Sequence, residues 1–242
     1  MTDQLASTLI TKLCVSNDLN ERDLQALRRL PIQRREYGAR EAIVSDRQRP
    51  HVCCLVTEGF AFRSKTTFEG QRQVLSLHLP GEIPDLQSLH LHVMDHDLTT
   101  LTPCVLGFIA HEAILALNKE RPSVAAALWR ETLIDAAIFR EWLLNLGRRP
   151  ADARMAHLLI ELYYRLKALG RERNGEFELP LTQADLGDCL GLSTVHVNRV
   201  LQQLRGDGLI EVERTRFRLV NIPKIEKFSE FDPTYLHLDP KN

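Results

Sequence analysis

Thr194, His196, Asn198, Arg199, Gln202, Gln203 and Arg205 fill one short stretch with hydrogen-bonding and positively charged side chains, and no carboxylate interrupts them before Asp207. Side chains of these types suit phosphate oxygens and the edges of bases. The residues around them explain how they would be held. Leu186, Leu190, Leu192, Val197 and Val200 occupy the apolar positions that a helix-turn-helix requires. Gly187 takes the position that must be small, and Gly191 the position that must turn with positive φ. Thr182 is placed to cap the first helix together with Asp185, a capping box with Asp where Glu is usual, and Ser193 is placed to cap the second. Pro180 keeps any helix from running in from upstream. An amphipathic helix pair in any α-rich protein shares the apolar spacing, but it does not combine glycine, cap and turn in one window.

Gly206 and Gly208 end the second helix. Leu209, Ile210, Val212, Phe217, Leu219 and Val220 then flank a charged turn, a pattern that predicts a hairpin, the wing of a winged helix. Arg216, with Arg214 and Arg218 beside it, is a candidate contact to the DNA backbone.

Other residues with chemical potential lie upstream. His78, His90, His92 and His96 are close enough in the chain to suggest a metal or haem, and His90 and His92 would share a face if they lay in a strand. Cys14, Cys53, Cys54, Cys104 and Cys189 do not have zinc or iron–sulfur spacing, and adjacent Cys53 and Cys54 point to opposite faces of a strand. They read as buried thiols, with Cys189 a redox sensor only if it is exposed. No nucleophile, base and orienting group recur at a spacing that points to an enzyme.

At 242 residues, with a hydrophobic fraction of 44%, the chain has material for two domains. Net charge is −1, and arginines and carboxylates balance between residues 180 and 222, so charge alone does not point to nucleic acid. No apolar run approaches the ~20 residues that span a bilayer, and the start MTDQ leads into no signal-peptide core, so a cytoplasmic protein without a membrane partner is expected.

The elements that must position the polar stretch follow from periodicity. Residues 5 to 30 read as two short helices broken at Asn17-Asp18. Segments 53–56, 59–63, 73–79 and 105–109 are short, apolar or alternating, and punctuated by Gly and Pro, which predicts an antiparallel roll or barrel. From Pro122 to Leu146 a long helix is predicted whose Val124, Leu128, Leu133, Ile134, Ile138, Trp142 and Leu146 make it too apolar to stand alone, a natural dimerisation seam. Another helix is expected from Ala151 to Leu169. The fold class is thus α+β, with a sensory β-roll over 1–121, a dimerisation helix over 122–147, a winged helix-turn-helix over 148–222 and a tail over 223–242 in which no element is read.

This order of parts, with LTQADLGDCLGLSTVHVNRVLQQLRGDGLI in the C-terminal domain and Gly59, Gly81-Glu82 and the Leu101 to Phe108 region in the roll, resembles the cAMP receptor protein/FNR family of bacterial transcription regulators. The resemblance covers nearly the whole chain. It implies a cyclic-nucleotide-binding-like jelly roll and a homodimer that binds palindromic promoter DNA. It further implies action on RNA polymerase, usually as an activator, in response to a small-molecule effector. By the same likeness, Arg199 matches the arginine that contacts guanine, and Asn198 a second base-reading position. Val195 stands where many members carry glutamate, favouring a thymine methyl, while Ser193, Thr194 and His196 fall at phosphate contacts with Gln202 on the same face. Gly81 and Glu82 match the effector-pocket motif, but where cyclic-nucleotide binders place a phosphate-pairing arginine this chain has His92-Val-Met-Asp-His-Asp97. Asp95 and Asp97 would repel a cyclic phosphate. The iron–sulfur branch needs a closely spaced N-terminal cysteine cluster, and only Cys14 is present. No cofactor is expected, and the effector is one other than cAMP.

Overall fold

Leu5, Leu9 and Leu13 recur at helical spacing and form the buried face of α1 (Thr2–Ser16). The chain then breaks and restarts at Asn20, whose side chain accepts from Arg22 and Asp23 amides in a capping box that opens α2 (Glu21–Arg28). These elements belong to a computed structural model, which describes residues 2–239. The described chain forms two compact units, one running to Asp135 and the other from Ala136 to Leu238.

In the first unit seven strands follow the helices: β1 (Ile32–Tyr37), β2 (Ala42–Val44), β3 (Val52–Glu58), β4 (Ala61–Thr66), β5 (Arg72–His78), β6 (Asp97–Thr100) and β7 (Cys104–Ala110). They pair antiparallel in two sheets, ordered β1-β7-β3 and β2-β6-β4-β5. β3 has both faces buried. Cys53 and Leu55 join a core with Leu9, Leu13, Leu27, Ile109 and Leu117, while Cys54 and Val56 join another with Met94, Leu98, Leu106 and Phe108. The adjacent cysteines therefore serve two separate cores, as strand alternation demands. Helix α3 (His111–Glu120) follows, then α4 (Pro122–Arg148), whose Val124, Ala127 and Leu128 complete the first core. Buried Asp23 fixes this junction, accepting from Arg121 Nη2 and Ser123 Oγ at 2.6 Å each.

The second unit takes the remainder of α4 and adds α5 (Ala151–Ala168), β8 (Glu176–Glu178), α6 (Gln183–Leu190), α7 (Thr194–Gly206), β9 (Ile210–Glu213), β10 (Arg216–Leu219) and α8 (Ile222–Ser229). β8, β10 and β9 form one antiparallel sheet, so the wing has a third strand that the sequence reading did not contain. β8 is three residues long and turns only Phe177 inward, too short a run for periodicity to mark it. The tail does pack: Ile225 and Leu236 are buried, and the Phe231 ring stacks on Tyr164 of α5. No helix among the described residues is long and apolar enough to cross a membrane.

Candidate nucleic-acid interface

Thr182 and Asp185 cap each other at the start of α6. The Thr182 amide and hydroxyl donate to Asp185 Oδ2 at 2.9 and 2.6 Å, and the Asp185 amide donates to Thr182 Oγ1 at 3.2 Å. A cap of this kind contributes about 1 kcal/mol to the helix. At the other end Gly191 adopts φ 63°, and its amide donates to the Gly187 carbonyl. The turn delivers Ser193, whose Oγ accepts from the His196 amide at 3.3 Å and opens α7. Leu186, Leu190, Val197 and Val200 are buried between these helices and their neighbours; Leu192, in the turn, is half-buried.

Burying that apolar face turns the other outward. Ser193, Thr194, Val195, Asn198, Arg199, Gln202 and Arg216 are all exposed, and His196 is half-buried. Val195 is 80% exposed, an apolar side chain standing in solvent on a polar face. The outward donors differ in whether they are already used. Gln203 Nε2 donates to Asp152 at 3.0 Å, Arg205 Nη2 to the Val212 carbonyl at 3.1 Å, and Arg218 pairs across the wing with Glu211 at 3.1 Å. Among the described residues, the side chains of Asn198, Arg199, Gln202 and Arg216 make no hydrogen bond or ion pair. These four have donors to offer a ligand.

Arg154 holds the unit from behind, and nothing in the sequence singles it out. Its guanidinium donates to the Leu190 carbonyl at 2.5 Å and the Arg149 carbonyl at 3.1 Å, tying α5 to the end of α6. A second buried group lies beside the tail. Glu161 accepts from Trp142 Nε1 at 3.0 Å, Tyr235 hydroxyl at 2.9 Å and Arg165 at 3.2 Å; burial raises its carboxyl, and these partners hold it down. His157 sits against Phe231 and Tyr235 without exposure. Its Nε2 is 3.3 Å from Glu141 Oε1 but is not aligned to bond it, and burial beside Arg149 lowers the imidazole to about 3.

In the roll, Gly81 adopts φ 96° and faces α1 so closely that a Cβ would stand 2.4 Å from Lys12 Cβ. Glu82 turns to His78, whose Nδ1 lies 3.1 Å from Glu82 Oε2, while the His78 Nε2 meets Ser76 Oγ at 2.8 Å. Burial lowers the His78 imidazole despite the carboxylate. His90 and His92 lie in the loop before β6 and are exposed, not on a shared strand face, and no three potential ligands among the described residues gather for a metal. Asp95 pairs with His96 at 2.6 Å, and Asp97 accepts from the Asp46 amide at 2.9 Å. The cation of this region comes instead from β4: Arg63 donates to the Pro84 carbonyl and pairs with Asp135 of α4 at 2.5 Å. An arginine so committed is not offered to a cyclic phosphate. Cys189 is buried, so the exposure that redox sensing requires is lacking.

Residues 153–228 match the pattern of a Crp-like helix-turn-helix domain, and residues 34–121 that of a cyclic nucleotide-binding domain. The chain is 31% identical over 192 residues to the transcriptional activator protein FnrL of Cereibacter sphaeroides, covering 77% of this chain and 75% of that one. It is 26% identical over 215 residues to the transcriptional activator protein FnrA of Stutzerimonas stutzeri, covering 88% and 86%. Among solved structures, FixK2 from Bradyrhizobium japonicum shares the fold with a TM-score of 0.76 over 84% of this chain and 100% of that one, at 24% identity. A roll, a long helix and a winged helix-turn-helix, matched in sequence across three quarters of a named activator, place this chain in the Crp/Fnr family of bacterial DNA-binding transcription regulators.

Proposed function

We propose that the protein is a homodimeric transcription activator that reads a palindromic promoter site through α7 and recruits RNA polymerase, under control of a signal received by the roll. The observation that carries this reading is the set of exposed, uncommitted donors on α7, centred on Asn198 and Arg199. Arg199 has the fork that matches O6 and N7 of guanine, Asn198 pairs with adenine, and Val195 offers a methyl contact to thymine. Ser193, Thr194 and His196, at the amino end of α7, take phosphates with help from the Thr194 and Val195 amides. Gln202 extends the same face, and Arg216 takes the backbone beside it from the wing.

Val124, Leu128, Ile134, Ile138 and Trp142, which mark α4 as apolar in the sequence, are buried within the single chain, so dimerisation through α4 is supported instead by Trp129, Leu133, Phe139 and Leu143, each at least half exposed there. Such a row on one helix is the seam of a two-fold pair. Pairing two readers multiplies the affinity that one helix-turn-helix supplies. In this proposal the roll occupies 1–121, the seam 122–147 and the DNA reader 148–222, with the tail bracing the reader. A signal other than a cyclic nucleotide fits a roll in which Arg63 is already paired and Glu82 faces His78. Capture of genomic fragments by the purified protein tests the reading, which expects a shared inverted repeat upstream of genes.

A further inference from the structure

The roll contains a second polar centre, apart from Gly81 and Glu82. A cavity of about 290 Å³ opens between β2, the turn leading into β3, and β7. Its walls are apolar, made by Ile43, Val44, Pro50, Val52 and Phe108, and one buried carboxyl, Asp85, lines it. The volume lies at the lower edge of the ~300–1,000 Å³ usual for small-molecule sites, so it suits a compact guest.

Asp85 is the unusual member. Its Oδ1 accepts from the Cys54 amide at 2.7 Å, which fixes the carboxyl at the cavity, yet it forms no ion pair among the described residues. The charged and titratable groups near it are Arg63 of β4, too distant to pair, and the thiols of Cys53 and Cys54 on β3. A buried carboxylate without a cation is costly, and a guest that brings an ammonium group removes that cost. Gln48 and Arg49 line the cavity as well, both residues being exposed and therefore at its mouth. Arg49 makes no ion pair among the described residues, so it repels a second positive charge.

We propose that this cavity binds a small apolar monoamine, its ammonium paired with Asp85, its hydrocarbon body against Phe108, Val44 and Val52, and its far end uncharged beneath Arg49. The inference rests on the reading of the roll as the sensory unit, and it names the chemistry of the signal. Asp85→Asn keeps an oxygen for the Cys54 amide and removes the charge, which makes it the informative variant.

Calorimetric titration of the full chain with phenethylamine and isoamylamine tests the proposal, with isovalerate and putrescine as the isosteric acid and the diamine. Wild-type protein is expected to bind one or both monoamines and neither counter-probe, and Asp85→Asn to weaken binding by roughly thirtyfold or more. Arg49→Glu changes an exposed position only, and it is expected to admit putrescine. The proposal is overturned if neither monoamine binds at concentrations up to about 10 mM. It is equally overturned if isovalerate binds as well as isoamylamine, if folded Asp85→Asn binds unchanged, or if Arg49→Glu still excludes putrescine. Binding is measured without DNA, so a failure to capture promoter fragments would refute the regulatory reading and leave the amine result standing.

Discussion

Gly187 lies so close to Leu192 that a Cβ added to it would stand 2.5 Å from the Leu192 carbonyl oxygen, while Val197 Cγ2 of α7 would be at an ordinary 3.8 Å. The small residue is therefore demanded by the turn's backbone more than by the crossing helix. Alanine gains up to about 1 kcal/mol of helix propensity over glycine, but a backbone carbonyl at 2.5 Å cannot step aside as a side chain can. Gly187→Ala is expected to destabilise the second unit by a net ~1–3 kcal/mol, read as a lower urea midpoint at unchanged slope.

Asp85 makes the stability of the first unit depend on pH. Burial pushes its carboxyl up to about 7, against an ordinary value of 3.8. Between those values the folded chain holds a proton that the unfolded chain releases, so stability falls as pH rises from about 4 to 7 and is level above. A loss on the order of 3 kcal/mol is expected over that interval, and Asp85→Asn should flatten it in urea titrations of the roll.

His157 works in the opposite direction in the second unit. Its imidazole, held at about 3 by burial and Arg149, takes up a proton on unfolding near the ordinary value of 6.5. Its contribution is whole above 6.5 and is lost as pH falls from there toward 3, on the order of 2 kcal/mol by about pH 5. Glu161, raised by burial, contributes with the reverse sign, so the comparison must be with His157→Leu, which is expected to lose the acid-side decline. Both ring nitrogens lack hydrogen bonds, so leucine strands no partner there.

Leu143 on α4 is 65% exposed in the single chain. Leu143→Glu puts a charge into the proposed seam. Sedimentation should show a dimer for wild type and a monomer for the variant, with each unit's secondary structure retained.

The helix-turn-helix was legible from sequence because it is local: Thr182, Asp185, Gly187, Gly191 and Ser193 each act on neighbours a few residues away. The strands around residues 53–56, 73–79 and 105–109 were legible because alternation or continuous apolar runs mark burial. β1 was not, since Gln33 to Glu36 are exposed and its place is set by pairing with β7 far along the chain. Arg154, His157 and the Trp142–Glu161–Tyr235 cluster stayed hidden for the same reason, as each depends on partners that only the folded chain brings near. The tail resisted reading because its aromatic residues pack on α5 without a periodic face.

If α7 reads DNA through Arg199, Arg199→Ala loses affinity for a captured promoter fragment and not for a scrambled fragment of equal length, both followed by fluorescence anisotropy. The variant is expected to keep the wild-type fold, to lose about 1–3 kcal/mol per half-site on the captured fragment, and to change little on the scrambled one. Equal affinity of variant and wild type for the captured fragment would refute Arg199 as a base-reading residue.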